Sequence, residues 1–270
     1  MNSIIQIKFL CCVVTILIVS CSVPKKVSIS TNELNDVGKR IFQNEASGKN
    51  ENLIVWNKGE DFASLGIGHF IWYPEGREGP FKESFPDFIN FLTEKGIELP
   101  DWLGKNRELP WKDQKTLFME REHNSYKYVS LNELLIRTIP YQAEFMFNRF
   151  ITSLPIVLEA ADQGRRKEIE NKFFRVAHAP LGVYALMDYV NFKGEGTLET
   201  ERYNCEGWGL LQVLEEMHGE RVQIDVMEDF SNAACRVLIR RVHNSPPERN
   251  EQRWIIGWLN RVKTYFLDSE

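Results

Sequence analysis

Leu34, Val37 and Ile41, with Phe42 beside them, repeat at i, i+3 and i+7, the spacing of one helical face. Ser30 and Glu33 have capping-box spacing, so this helix is predicted to begin near Thr31. Glu45 lies four residues beyond Ile41 on the same stripe, and Gly48 is a reasonable stop. The pattern then changes period. Leu53 to Trp56 reads as a short strand, Asn57-Lys58-Gly59 as a turn, and Phe62 to Trp72 as a second strand, together a β-hairpin. After it the reading is mostly helical. Pro86 to Lys95 is predicted as a helix closed by Gly96, and Ser130 with Glu133 caps a long one to Phe150, kinked at Pro140. Further helices are expected at 153–163, 165–178, 181–192, 207–218, 225–243 and 248–266. No linker, repeat or low-complexity stretch divides residues 31–270, which read as one domain. The predicted class is α+β, predominantly helical, with a small hairpin embedded among helices.

Glu45 is the first candidate for chemistry. A glutamate on a core-facing stripe loses water, which favours its protonated form. That is the state a general acid needs, and such a group contributes roughly 10²–10⁴ in rate. The competing reading places Glu45 in a frayed, solvated last turn. Downstream, Gly66 and Gly68 mark a place where something approaches the backbone closely.

Glu45, the hairpin, Ser64 and the run Gly66-Ile67-Gly68-His69, in that order, resemble phage-type lysozymes. In that family a helix-terminal Glu precedes a hairpin ending in Gly-Ile-Gly-His. The likeness covers about thirty of 270 residues. It implies a lysozyme-like fold and cleavage of a β-1,4-linked amino-sugar polymer, peptidoglycan above all. It also implies a hydroxyl and a carboxylate on the hairpin that position the attacking water. The hydroxyl maps to Ser64, where the family usually has Thr. Glu60 and Asp61 compete for the carboxylate, and Glu60 is preferred because it directly follows the turn glycine. His69 is expected to bond the hairpin backbone or its Glu neighbours. Trp72 and Tyr73, just past the glycines, are expected to stack on sugar faces.

Residues 191–212 form a second cluster. Glu195, Glu199, Glu201 and Glu206 crowd a loop after the apolar residues Val183, Leu186, Met187 and Val190. Gly209-Leu210-Leu211-Gln212 resembles the Gly-Leu-Met-Gln run of lytic transglycosylases, whose catalytic Glu lies about fifteen residues upstream. Glu195 is fourteen residues before Gly209, but Gly196 stands where that family has Ser. The resemblance implies Glu195 as a second or alternative acid, with Tyr203 and Trp208 stacking on sugar. The plainer reading is a solvated acidic loop. If both clusters serve function, Glu45 and Glu195 should share one cleft.

The start of the chain bears on place. Lys8 and the apolar run Phe9 to Val19 read as a signal peptide over 1–20. Leu17-Ile18-Val19-Ser20-Cys21 resembles a bacterial lipobox, which implies lipidation of Cys21, a tether over 21–30, and a membrane-anchored envelope lipoprotein facing the periplasm. The alternative is an ordinary N-terminal membrane anchor. With 33 basic against 38 acidic residues and no basic run, a nucleic-acid partner is not expected. No metal-ligand spacing is present and no cofactor is implied. Cys205 and Cys235 remain as a pair able to cross-link if they meet. The rival function is a non-catalytic envelope lipoprotein that binds glycan or a partner protein through an aromatic groove.

Overall fold

Ser30 caps the first helix from both sides: its Oγ accepts from Glu33 N at 3.3 Å, and its own N–H donates to Glu33 Oε2 at 2.9 Å. The helix, α1 (Thr31–Ala46), ends where Ser47 and Gly48 turn left-handed. The structure is a computed structural model that describes residues 26–79, 81–105, 108–219 and 224–266. The expected signal peptide and Cys21 lie outside the described residues.

The hairpin is a three-stranded antiparallel meander, β1 (Ile54–Val55), β2 (Ala63–Leu65) and β3 (Phe70–Trp72). Ser64 pairs with both Val55 and Ile71. The single second strand expected over 62–72 is therefore split at the glycine run. Gly66 and His69 take positive φ (69° and 46°), which folds the chain back on itself instead of extending it.

Helices follow: α2 (Phe85–Glu94), α3 (Asp101–Lys105), α4 (Gln114–Glu122), α5 (Tyr126–Arg137), α6 (Ile139–Ala160), α7 (Arg166–Ala177) and α8 (Gly182–Lys193). A two-stranded ribbon, β4 (Arg202–Tyr203) and β5 (Glu206–Gly207), precedes α9 (Leu210–Glu216), α10 (Val226–Asn244) and α11 (Ile255–Lys263). The helix expected to run from Ser130 to Phe150 is two helices, α5 and α6, parted at Thr138. Pro140 sits in the first turn of α6, where its missing N–H costs nothing. Ser125, not Ser130, caps α5 by accepting from Tyr128 N. Pro155 lies inside α6, so the separate helix expected from 153 is its continuation. Two short helices, α3 and α4, were not anticipated.

One apolar core runs from Val37 to Tyr265. Its centre is α6, which packs against α1, α2, α5, α7 and α8. The molecule is thus predominantly helical with a small antiparallel sheet at one side of that core. Among the described residues no helix is long and apolar enough to cross a membrane.

Candidate active site

Glu45 is in the last turn of α1 with its side chain 9% exposed. Arg261 Nη2, from α11, donates to its Oε1 at 2.5 Å, and His69 Nδ1 lies 3.2 Å from its Oε2. Arg261 is itself held by two prongs on Asp188 of α8, Nε to Oδ2 and Nη2 to Oδ1, each 2.8 Å. Asp188 is fully buried and also accepts from Tyr265 OH at 2.6 Å. Burial alone would lower the Arg261 pKa, but the carboxylates of Asp188 and Glu45 raise it well above the usual arginine value. So the stripe position did desolvate Glu45, as its spacing predicts, but the carboxyl is paired instead of isolated.

His69 reaches Glu45 because the glycine turn points it there. Gln142, fully buried on α6, accepts from Ile67 N through Oε1 at 2.8 Å and donates through Nε2 to Leu135 O at 2.7 Å. A Cβ on Gly66 would lie 2.2 Å from that Oε1, and one on Gly68 would lie 2.3 Å from the Phe70 ring. The close approach that the glycines permit is therefore made by the protein's own Gln142 and Phe70. His69, with a third of its side chain exposed, forms the open side of the cluster.

Glu60 is the carboxyl in the turn before β2. Burial raises its pKa, against smaller lowering effects from the Asn57 amide and the His69 charge. Asn57 Nδ2 donates to Glu60 Oε2 at 3.1 Å, and Trp56 Nε1 donates to the Glu60 carbonyl at 2.8 Å, which ties down the turn. Ser64 is only 5% exposed in the central strand. Glu45 and His69 thus meet directly, while Glu60 stands in the turn before β2 against Asn57, so the two acids have unlike surroundings.

The aromatic platforms need correction. Trp72 (1% exposed) and Tyr73 (5%) are core residues, with Trp72 4.5 Å from Phe85 and Tyr73 5.4 Å from Phe62, centroid to centroid. Both belong to the stretch that threads the sheet into the core, so neither offers a ring face to a sugar. Tyr203 and Trp208 are likewise committed. Their rings stand 4.5 Å apart, and Tyr203 OH donates to Glu251, which also takes both prongs of Arg241.

In the 191–212 segment the glycines serve packing. A Cβ on Gly209 would lie 2.0 Å from Gly196 N. Gln212 caps α9 by accepting from Gly209 N and donates to Gly196 O. Glu201 accepts from Thr197 N and Leu198 N, closing the loop on itself. Glu195 enters through its backbone, whose carbonyl accepts from Leu211 N. Cys205, exposed in the ribbon turn, and Cys235 are both free thiols.

What joins this segment to Glu45 is a ladder of alternating cations and rings. The Arg261 guanidinium sits 4.1 Å from the Phe192 ring centre, and Lys193 Nζ lies 3.8 Å from Phe192 and 3.4 Å from Trp258. Arg241 continues it, 5.0 Å from Trp258 and 4.0 Å from Trp208. Burial, with Arg241 and Arg261 nearby, pushes the Lys193 amine well below the usual lysine value.

Sequence reasoning missed Arg261, Asp188 and Gln142. Asp188 and Gln142 carried a faint signal, as polar residues among apolar helical neighbours. Arg261 carried none. Among the described residues no group of three His, Cys, Asp or Glu side chains gathers to hold a metal. Comparison with protein-family models, with curated proteins and with solved structures yields no match for this chain.

Proposed function

We propose that this chain is a lysozyme-like enzyme that cleaves a β-1,4-linked amino-sugar polymer, peptidoglycan above all, through Glu45, His69 and Glu60. The observation that carries the reading is that Glu45, ending α1, and His69, ending the glycine turn, converge to 3.2 Å. Glu60 lies in the turn before β2, on the same hairpin that carries His69. Two carboxyls in unlike surroundings are what acid–base cleavage of a glycoside requires. Glu45 is assigned as the proton donor and Glu60, held by the Asn57 amide, as the group that orients water or steadies the oxocarbenium ion. Ser64 backs the water site from β2. An arginine contact holds a carboxylate, whereas a general acid must carry a proton. Glu45 therefore acts once substrate displaces Arg261, which remains anchored on Asp188. In this reading the chain works in the bacterial envelope, tethered through a lipid on Cys21. Digestion of purified peptidoglycan tests it: wild-type protein releases new sugar termini and Glu45→Gln does not. Reducing ends indicate hydrolysis, and anhydro ends indicate transglycosylation.

A second reading, a non-catalytic lipoprotein that binds glycan or a protein, is favoured by the Glu45–Arg261 pair itself, since an acid locked to a cation in a nearly closed setting suits a structural role. Inactivity of the wild type on peptidoglycan, chitin and chitosan alike would leave that reading in place of the enzymatic one.

A further inference from the structure

Lys193 is the last residue of α8, and Gly194, at a positive φ of 79°, turns the chain away after it. The lysine is 8% exposed, and that residual exposure includes Nζ. The Phe192 and Trp258 rings stand nearly perpendicular, at 79° with centroids 6.2 Å apart, and form a corner around the ammonium. Both rings are only partly buried, so the corner lies at the surface. It borders the proposed active site, because Arg261, which bonds Glu45, packs on the same Phe192 ring.

The cations here are matched by carboxylates in all but one case. Glu251 takes both prongs of Arg241, while Asp188 and Glu45 hold Arg261. Lys193 Nζ makes no hydrogen bond or ion pair among the described residues. Its ring contacts contribute about 0.5–2 kcal/mol each, and its place at a helix C-terminus about 0.3–1 kcal/mol. Desolvating an ammonium costs several kcal/mol, and the guanidiniums of Arg241 and Arg261 add repulsion. The fold therefore leaves one nearly buried cation beside the proposed acid without a counter-ion.

We propose that Lys193 receives a carboxylate carried by the bound polymer, so that the site takes an acidic amino-sugar chain in preference to a neutral one. The polymer as carrier rests on the functional reading above, and the anion site rests on the unmatched ammonium. A single unmatched charge suits a singly charged anion. A phosphate would use the guanidinium forks, and those are already occupied by Asp188 and Glu251. The two rings add apolar surface for the carbon skeleton next to the carboxylate. In peptidoglycan the carboxylate comes from the lactyl group of a muramic acid or from the peptide attached to it. Chitin and chitosan have neither, so Lys193 separates these substrates.

The test titrates the full wild-type chain with N-acetylmuramic acid, with muramyl dipeptide and with N-acetylglucosamine, none of which has a glycosidic bond to cut. The Lys193 Cε–Hε signal is followed by NMR in protein carrying labelled lysine. It is identified by its loss in Lys193→Met or in Lys193→Arg, so one folded variant suffices. The expected result is a saturable shift with an acidic sugar, binding at least about tenfold tighter than N-acetylglucosamine. Read from the Trp258 indole N–H, that advantage disappears in Lys193→Met and is largely kept in Lys193→Arg. A shift with N-acetylmuramic acid places the carboxylate on the lactyl group, and one with muramyl dipeptide alone places it on the peptide. A stationary Lys193 signal with both acids, an equal response to N-acetylglucosamine, or an undiminished advantage in Lys193→Met overturns the inference. Cleavage of peptidoglycan by a wild type whose Lys193 signal stays still removes the receptor and leaves the enzyme standing. A saturable shift in a wild type that cleaves nothing keeps the receptor and removes the enzyme.

Discussion

Arg261 and Glu45, 216 positions apart in the chain, meet in a 2.5 Å hydrogen bond with both side chains nearly buried. Charge-assisted bonds of this kind contribute more than neutral ones. Glu45→Gln keeps the shape but weakens that bond, while Arg261 stays seated on Asp188. The expected outcome is a loss of roughly 10²–10⁴ in turnover on peptidoglycan with a stability loss of only about 2 kcal/mol. Rates of release of soluble fragments, paired with thermal melts of both proteins, check the two parts separately. Turnover equal to wild type would remove Glu45 from the mechanism.

Asp188→Asn should behave in the opposite proportion. Asp188 is fully buried and takes both prongs of Arg261 as well as the Tyr265 hydroxyl. Removing one partner of a buried pair strands the other, at a cost of about 3–5 kcal/mol. Urea unfolding should show the midpoint falling steeply with the slope unchanged. A shift below about 1 kcal/mol would mean that solvent reaches the pair.

The turn that carries His69 can be tested through its clamp. Gly66→Ala places a methyl 2.2 Å from Gln142 Oε1 at a backbone φ of +69°. Strain plus the lost hydrogen bond should destabilise by about 2–4 kcal/mol. Gln142→Ala strands Ile67 N and Leu135 O in the core, at a cost of about 3 kcal/mol. Because both changes break the same contact, the double variant should lose clearly less than the sum, a coupling of about 1 kcal/mol or more. Strict additivity would show that the two residues do not communicate.

Glu60 contributes a slope with pH. Its pKa is raised in the folded chain, chiefly by burial, so the folded state holds its proton longer than the unfolded one. Stability from this group is therefore full below the ordinary glutamate pKa and is lost as pH rises through the raised value. Wild type minus Glu60→Gln, measured by denaturant unfolding across that window, should show a difference that declines with pH. A difference that grows with pH would mean that His69 and Asn57 outweigh burial.

Local signals are legible in the chain and distant ones are not. The Ser30–Glu33 box, the stop near Gly48 and the turn at Gly96 are made by neighbours within a few positions, so spacing reveals them. The split at Thr138 is not legible because Pro140 can either kink a helix or begin one, and only packing around α6 decides. In the site, Glu45 and His69 were visible because each sits in a short pattern. Their partners Arg261 and Asp188 come from α11 and α8, where nothing local marks them. Trp72 and Tyr73 are buried where their pattern predicts exposure, because an aromatic strand looks alike whether its rings meet sugar or core.

The Glu45–Arg261 contact also sets an order of events. At about 5–20 residues per second, the 216 positions between them take roughly 10–40 s to synthesise. Until then Asp188 lacks its guanidinium and the carboxyl of Glu45 has only His69 beside it. The first helix is therefore ready early, whereas the pocket it ends in stays unfinished until α11 has arrived. A nascent or clipped chain lacking α11 would hold both proposed acids and still lack the brace that sets one of them in place.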